Sequence, residues 1–553
     1  MTTREQLQQT LCDRLFWHTA ERDDAIVAKH LFDHHEMDVV YAMDEATLFD
    51  SFFNYLQQIG VFPFLEHLDP QKQQRKNIAF FKMTLVFLMK VVGAIKTIDE
   101  MKDLLLTDEL LMSMCGFNAY QVKNGSCQRG VKLRKTHRPE IRGSLCVDTI
   151  ANHIVKIGPR RIENFFNRCI EQLAKQGVFP KIIHAACDST LYETTNKFKG
   201  CGCVTRQRKV KARGYRKSGE LKEVSVTLYG WKVWAVYEIK TGIPLAIKID
   251  TIEKPDNLHA LAVLEQAKKN VKISSTIDSL VLDRGFLDGK VLYEIDLRGH
   301  EFVIPLKRNM DAACDARQLA LDSESFTPVT REVEVVHGYG KNKYTEKVLT
   351  SLVGVPDLLT CDWFNPQGSN VNSTKKDYVP IPLNAVVVKT WDNKTPPLEK
   401  QVVFVTNIDV KDPFITFDRY DERSLMENRL FREVKRNWHF EHPPKKTKEG
   451  VYVQTYMTMG MKALTTAFLK WQEQQLQLEA LGKQSTWQMY RRKLKVLNRN
   501  KLIVFVGQHF GIFPSHEVFM LANVPVHKTE EELNISREQV YAKYTDVPVT
   551  KNS

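Results

Sequence analysis

Three carboxylates in this sequence stand where metal-assisted phosphodiester chemistry would need them. Asp188 ends an apolar run that begins at residue 181, and Asp283 ends a second run that begins at residue 277. Reactive groups converge at strand ends in α/β sheets, so both carboxylates would face one cleft if the two strands are neighbours. Carboxylate oxygens suit Mg²⁺ or Mn²⁺, and a third acid, for which Glu427 is the best candidate, would complete a two-metal site.

Two further side chains accompany Glu427 on one predicted helix. Tyr420, Arg423 and Glu427 are spaced i, i+3 and i+7, which places them on a single helical face. An aromatic ring, a cation and an acid in this arrangement could hold a phosphate beside a metal ion.

The stretch SLVLDRGFLDG (279–289) also has a simpler interpretation. Asp is a good turn and capping residue, and Gly285 helps the chain to turn. On this stretch alone, Asp283 is either a turn residue or a metal ligand at a strand end. Asp288 stands near the start of a predicted helix, and we predict that it caps that helix.

The elements that must position these side chains change in character along the chain. Apolar residues recur at three- and four-residue spacing up to about residue 178, which predicts a helical N-terminal region. Strand-like runs with two intervening helices then predict a mixed α/β sheet. The predicted strands are 181–190, two within 223–252 joined by a turn at 240–242, 277–283 and 301–307, and the predicted helices are 257–271 and 288–299.

Residues 310–400 differ again, because prolines and asparagines separate segments rich in β-branched residues, and we predict a β-rich insertion there. A strand at 401–407 and helices at 421–440 and 451–482 follow. The predicted division is a helical region with possible DNA-end binding at 1–178, a catalytic core in two parts at 179–309 and 401–482, the insertion at 310–400, and a basic C-terminal region at 483–553.

The charge of the chain favours a polyanionic partner. The 553 residues carry a net charge of +13, and residues 199–222 hold nine Lys/Arg against one Glu. Residues 483–501 hold seven Lys/Arg and no acid. Concentrated positive charge is typical of nucleic-acid binding, although a solvated loop and a solvated helix face are the alternatives. The candidate DNA contacts in the first stretch are Arg206, Arg208, Lys209 and Lys211.

The composition argues against a membrane protein or a disulfide-rich scaffold. Hydrophobic residues make up 43% of the chain and charged residues 26%, the balance of a soluble globular protein. The most apolar window, 79–96, is interrupted by three lysines and is expected to be a buried helix. Ten cysteines are sparse in a chain of this length, so we expect a cytoplasmic, reduced protein with no membrane partner.

The chain resembles the DDE transposases of the insertion-sequence 4 group over about residues 180–480. That group carries its first Asp on the opening strand of the sheet, here Asp188 in AACDST, and its second in a D-R-G-F/Y turn, here Asp283 in LDRGFLDG. The group's helical motif is Tyr, two residues, Arg, three residues, Glu, six residues and Lys. Its first three positions are matched by Tyr420, Arg423 and Glu427.

The resemblance implies a ribonuclease-H-like catalytic domain in which Asp188, Asp283 and Glu427 bind two Mg²⁺ (or Mn²⁺) ions. The implied reaction is in-line cleavage of phosphodiesters at the ends of a mobile element, after which the freed 3′-hydroxyl attacks target DNA. The implied partners are double-stranded DNA, as element ends and as target, and a second copy of the chain in a synaptic homodimer. Relatives often hold a flipped base on an aromatic residue of the insertion. Trp363 and Trp391 are candidates here, with core packing as the alternative.

The Lys of the helical motif is displaced by one position. Val434 occupies the expected place, and Lys435 follows it. In a regular helix Lys435 would point about 80° away from Glu427. A one-residue π-bulge between them would absorb the extra residue, so we predict an i to i+5 hydrogen bond within 427–435 and a DNA contact for Lys435.

Three functions are compatible with these features. The first is an active DNA transposase, the second a catalytically silent DNA-binding protein derived from one, and the third a related metal-dependent nuclease that cuts without strand transfer. The presence of all three acids favours an enzyme.

Overall fold

The chain divides into two compact units, one formed by Met1–Arg161 with Leu464–Ser553 and the other by Ile162–Ala463. The structure is a computed structural model, and it describes residues 21–42, 46–70, 78–126, 145–211, 221–322, 324–337, 344–358, 382–391, 399–475, 486–489, 491–492, 500–524 and 535–545.

Helices and strands alternate along the second unit, whereas helices dominate the first. The helices are α1 (Asp24–His34), α2 (Ala46–Gln58), α3 (Phe62–Glu66), α4 (Phe80–Val92), α5 (Met101–Leu104), α6 (Glu109–Met114), α7 (Ala119–Asn124), α8 (Val147–Ile154), α9 (Pro159–Lys175), α10 (Ala260–Val271), α11 (Gly289–Leu297), α12 (Asp311–Leu319), α13 (Pro413–Asp421), α14 (Arg423–Met426), α15 (Arg432–Asn437), α16 (Lys448–Gln475), α17 (Ser515–Leu521) and α18 (Arg537–Thr545). The strands are β1 (Glu21–Arg22), β2 (Val39–Ala42), β3 (Ile182–Thr194), β4 (Gly202–Lys211), β5 (Leu221–Glu238), β6 (Ile243–Thr251), β7 (Thr276–Leu282), β8 (Glu301–Pro305), β9 (Val329–His337), β10 (Tyr344–Leu358), β11 (Leu383–Trp391), β12 (Glu399–Thr406), β13 (Lys501–Val506) and β14 (His509–Pro514).

The first unit contains the predicted buried helix and a sheet that was not predicted. Most of α4 is buried, as its apolar sequence requires. No helix in the described part of the chain is long and apolar enough to cross a membrane. The N-terminal region is mostly helical, as predicted, and the unpredicted β1 and β2 join β13 and β14 in a four-stranded sheet of order β1-β14-β13-β2. Strands from opposite ends of the sequence therefore stabilise one another.

The second unit is built on the predicted mixed sheet. Its ten strands follow the order β4-β5-β3-β7-β8-β12-β11-β10-β9, with β6 also paired to β5. Strand β3 is antiparallel to β5 and parallel to β7, which is in turn parallel to β8. The turn between β5 and β6 lies at 239–242, as predicted, and Gly242 adopts the positive φ of 77° that such a tight turn favours. The mixed α/β class is thus confirmed.

The predicted β-rich insertion continues the same sheet. Strand β12 pairs antiparallel with β8, and β11, β10 and β9 follow in turn, each antiparallel to its neighbour. One helix, α12, precedes these strands and was not predicted. The core strands and the insertion strands therefore share one hydrogen-bonded array.

The predicted basic loop 199–222 is in large part a strand. Strand β4 pairs along its whole length with the first half of β5, from Gly202↔Gly230 to Lys211↔Leu221. The second half of β5 pairs with β3 and β6. Charge obscured the strand pattern here, because basic residues alternate with Val and Thr, which favour strands. Residues 212–220 lie outside the described part.

Candidate active site

The two predicted aspartates occupy equivalent positions just beyond the β3–β7 ladder. Asp283 directly follows β7, as predicted, whereas Asp188 does not end its strand, because β3 continues to Thr194 and pairs there with β5. After a register shift between Ile183 and His184, the β3–β7 ladder continues up to the pair Cys187↔Leu282. Asp188 and Asp283 are the next residues on their strands, so the register itself brings their carboxylates to one edge of the sheet. This placement is the one that reactive groups take in α/β sheets.

The side chain of Asp283 does not cap the turn that follows it. Residues Arg284–Phe286 form a 3₁₀ turn, and no side-chain hydrogen bond from Asp283 caps it. Asp288, in contrast, caps α11, since one of its oxygens accepts from the backbone N–H groups of Lys290 and Val291 at 3.0 and 3.1 Å. The capping role predicted for Asp288 is confirmed, and the turn-residue alternative does not account for the Asp283 carboxylate.

Arg423 connects the two aspartates. Its Nη1 atom donates to Oδ2 of Asp188 at 3.0 Å and lies 3.7 Å from Oδ1 of Asp283. The guanidinium carbon is 5.6 Å from the centre of the Tyr420 ring, which packs against Phe404 with ring centres 4.5 Å apart. The structure therefore brings together four of the predicted residues, namely Asp188, Asp283, Tyr420 and Arg423.

Burial controls the charge of Asp188. The pKa of the Asp188 carboxyl is raised to about 6, and burial is the largest cause of this rise. Arg423 and the backbone N–H of Ser189 oppose the rise, whereas the charge of Asp283 adds to it. The Arg423 guanidinium thus favours the ionised form of Asp188 despite its burial.

Glu427 follows Arg423 by one helical turn and is largely exposed. Its side chain is 61% accessible, and its Oε1 atom lies 3.8 Å from Nη2 of Arg432. Within the described residues, no group of three or more His, Cys, Asp or Glu side chains is close enough to hold a metal ion. The metal role of Glu427 with the two aspartates stays a prediction.

The helix after Glu427 contains the predicted π-bulge. Residues Glu427–Phe431 form a π-helical turn, and the backbone N–H of Arg432 donates to the Glu427 carbonyl, which is an i to i+5 hydrogen bond. Beyond the bulge, Nζ of Lys435 donates to the carbonyl oxygen of Leu191 at 2.5 Å. Leu191 is three residues past Asp188 on β3, so the bulge directs Lys435 toward the strand that carries the first aspartate.

A buried ion pair fixes the helix beyond the bulge. Glu433 on α15 and Lys462 on α16 are both buried, with Oε2 and Nζ 2.8 Å apart. Trp438 Nε1 also donates to Oε1 of Glu433 at 3.2 Å. Buried charges are strongly destabilising unless they are paired, so this contact constrains where α15 can lie.

One acid near the site was missed in the sequence. Asp256 follows β6, and its Oδ1 atom accepts a hydrogen bond of 2.6 Å from Oγ of Ser189, the residue after Asp188. A Cβ atom built on Gly285 would lie only 2.5 Å from Asp256 Oδ2, so a side chain at this position of the D-R-G-F turn would displace the Asp256 carboxylate. The local sequence KPDN is typical of an ordinary turn, and its spacing from the other acids does not indicate that Asp256 belongs to a site.

The remaining predicted residues are only partly described. Arg206 is exposed on β4. The side chains of Arg208, Lys209, Lys211 and Trp391 lie outside the described set, as does the whole of Trp363. Their predicted roles in DNA binding and base flipping stay predictions.

An acid-bearing edge of a mixed α/β sheet, with an arginine against it, is the class of site that the structure defines. Residues 180–461, slightly more than half of the chain, match the family described as transposase DDE domain, and the chain belongs to this family. Among solved structures it is similar to the cryo-EM structure of the piggyBac transposase synaptic complex with hairpin DNA, at 11% identity and a TM-score of 0.35, over 92% of this chain and 87% of that chain. No curated protein matches it.

Proposed function

We propose that this protein is a DNA transposase of the insertion-sequence 4 group, with a ribonuclease-H-like core, that cuts phosphodiester bonds at the ends of a mobile element and joins them to target DNA. The observation that carries the proposal is the placement of Asp188 and Asp283 side by side where the β3–β7 ladder stops, against Arg423, within a transposase DDE domain.

The donor set fits divalent cations. Two carboxylate oxygens lie within 4 Å of one guanidinium nitrogen, so this edge of the sheet accommodates positive charge between them. Hard oxygen ligands of this kind suit Mg²⁺ or Mn²⁺. Asp188, Asp283 and Glu427 are the residues that would hold two such ions. When bound, the ions would polarise the scissile phosphodiester and lower the pKa of an attacking water.

Arg423 is suited to bind the DNA backbone. Its side chain is 21% accessible, and a guanidinium has five N–H donors, so it can contact a phosphate oxygen as well as the aspartates. Tyr420 supports the guanidinium from one side. Lys435 supplies a second positive charge beside β3. We assign these three side chains to the phosphates next to the cleaved bond.

The basic strand β4 provides a second contact with DNA. Arg206 is exposed there, and neighbouring positions are rich in Arg and Lys. Such charges bind phosphates without reading sequence, and they position a duplex rather than select it. The partners that we propose are element-end and target double-stranded DNA, with a synaptic homodimer in the cytoplasm.

Paired gel-shift and cleavage assays on the element's own ends test the proposal. Asp188→Ala, Asp283→Ala and Glu427→Ala should each abolish cleavage and leave end binding largely intact. Asp278→Ala is the matched control, because Asp278 is an exposed acid toward the opposite end of β7. If one of the three variants cleaves within about tenfold of the wild-type rate, which corresponds to about 1.4 kcal/mol of activation free energy, the residue replaced in it is not part of the site.

The products separate the three functions. Strand-transfer products with target DNA indicate a transposase, and cleavage without joining indicates a nuclease. Binding of the ends with no metal-dependent nicking under any condition would indicate a catalytically silent DNA-binding protein.

A further inference from the structure

The Asp256 carboxylate is held from three directions. Its Oδ1 atom accepts from Oγ of Ser189 at 2.6 Å and lies 3.0 Å from Nζ of Lys232. Its Oδ2 atom lies against Gly285, at the place where a Cβ would be. The backbone carbonyl of Asp256 also accepts from Nε1 of Trp234 at 2.7 Å. Both the carboxylate and the main chain of this residue are therefore fixed.

These contacts join the two segments that carry the catalytic aspartates. Ser189 directly follows Asp188, and Gly285 comes two residues after Asp283. The β3–β7 ladder ends just before both aspartates, so its hydrogen bonds do not extend to them. Asp256 spans this gap, because it binds the β3 side through a hydroxyl and contacts the β7 side through a glycine.

Lys232 makes this arrangement electrostatically stable. Its side chain is buried, and Nζ donates to the carbonyl of Lys254 at 2.5 Å as well as pairing with Asp256. A buried ammonium without a partner would be strongly unfavourable, and the Asp256 carboxylate, which is 31% accessible, is its partner. The pairing lets a third acid lie close to two others while its charge is balanced from the β5 side.

From these contacts we infer that Asp256 is a positioning residue, which sets the separation and orientation of Asp188 and Asp283 for divalent-cation binding. This inference rests on the proposed function. Groups that orient metal ligands commonly change metal affinity by about 10–100-fold when they are removed. The expected signature is thus a change in metal requirement with little change in DNA-end binding.

The test compares Asp256→Asn, Ser189→Ala and Gly285→Ala in the full chain. We expect each to raise the Mg²⁺ concentration for half-maximal end cleavage by about tenfold or more, while the rate at saturating Mg²⁺ changes less. Glu163→Gln is the matched control, because Glu163 forms a similar 3.0 Å pair with Lys248 on the same sheet. A second readout without DNA is the rise in Tm caused by Mn²⁺, which the three variants should require at higher concentration.

A double-mutant cycle distinguishes steric positioning from general loss of packing. Gly285→Ala acts by displacing the Asp256 carboxylate, so its effect on metal requirement should be much smaller in an Asp256→Ala background. Additive effects of the two changes would overturn the steric part of the inference.

The outcomes separate this inference from the proposed function. If Asp188→Ala keeps the Mn²⁺-dependent rise in Tm, the metal site itself is wrong. If Asp188→Ala loses the rise while Ser189→Ala and Asp256→Asn keep the wild-type metal requirement, only the role of Asp256 is overturned. Should Asp256→Asn fold poorly, Ser189→Ala decides, since it removes one hydrogen bond and leaves the Lys232 pair intact.

Discussion

Arg423 and Asp188 are 235 positions apart in the sequence, and their side chains form an ion pair of 3.0 Å. Both side chains are mostly buried, so the pair is formed in a low-dielectric environment where charge is strongly felt. The same Arg423 nitrogen faces Asp283, and one cation thus counters two acids. This arrangement links the helical segment that leads to Glu427 with strand β3, which carries Asp188.

Arg423→Gln should reduce end cleavage by more than about tenfold, because it removes both the phosphate donor and the charge that balances the two acids. Arg419→Gln is the control, since Arg419 lies four residues earlier and pairs with Glu301 instead. Single-turnover cleavage measures the effect. Equal rates for the two variants would argue against a special role for Arg423.

Deletion of Asn428 should preserve cleavage within about tenfold. It removes the extra residue that the π-bulge absorbs, so the motif spacing between Glu427 and the lysine becomes six residues. Insertion of an Ala after Phe431 should instead turn the lysine by about 100° away from the site. This variant should lose as much cleavage activity as Lys435→Ala. Cleavage assays on the three variants give the comparison, and an inactive deletion variant beside an active insertion variant would contradict it.

Neutralising Arg206, Arg208, Lys209 and Lys211 together should weaken DNA binding for every sequence tested. Each lost phosphate contact should lower the slope of log affinity against log salt by roughly 0.9. Binding titrations over a range of salt measure this slope. Glutamine at Lys175, Lys269 and Lys272, which are exposed lysines of the same unit, provides the control. An unchanged slope in the β4 variant would mean that the strand is merely solvated.

Lys90→Met should stabilise the protein at pH 7. Burial on α4 is the main cause that lowers the pKa of Lys90 to about 7, although Glu100 opposes it. Between about pH 7 and the unfolded value of 10.5 the unfolded chain binds more protons, so the stability of the wild type rises with pH. Below about pH 7 the full burial penalty remains. The variant should therefore be more stable than the wild type at pH 7, and the gain should shrink toward pH 10.

Denaturant unfolding at both pH values provides the measurement for Lys90. Lys82→Met on the same helix is the contrast, because Nζ of Lys82 donates to the carbonyl of Gly116 at 2.5 Å and its loss should destabilise. A pH-independent difference between Lys90→Met and wild type would show that the ammonium is solvated.

Local sequence rules predicted the features that depend on neighbours in the chain. The cap at Asp288 and the turn that ends at Gly242 each follow from residues a few positions apart. The bulge after Glu427 was predicted from the family resemblance, because the lysine of the helical motif is displaced by one residue. The strand end at Asp283 was also visible as an apolar run that stops at an acid, whereas the run that stops at Asp188 marks only part of β3. Their pairing needed only the assumption that two predicted strands are neighbours, and the register confirms it.

Features that depend on distant residues were not predictable in this way. Asp256 gains its importance from Ser189, Lys232 and Gly285, and nothing beside it in the sequence indicates those contacts. The small sheet of the first unit pairs Val39–Ala42 with a strand near the other end of the chain, and no periodicity encodes that pairing. Strand β4 was hidden because its charges suggested a solvated loop.

The pairing of β8 with β12 has a consequence for the order in which this protein becomes active during synthesis. Phe404 pairs with Pro305, so β8 can pair with β12 only after about a hundred further residues have been synthesised. Strands β3 to β7 can associate before that point, which brings the two aspartates together early, whereas α14 and the bulge emerge only afterwards. Long-range pairing of this kind is slow to form. A nascent chain can thus carry the aspartate pair without Arg423 or Glu427, and the proposed site is incomplete until the helix that holds these two residues has been made.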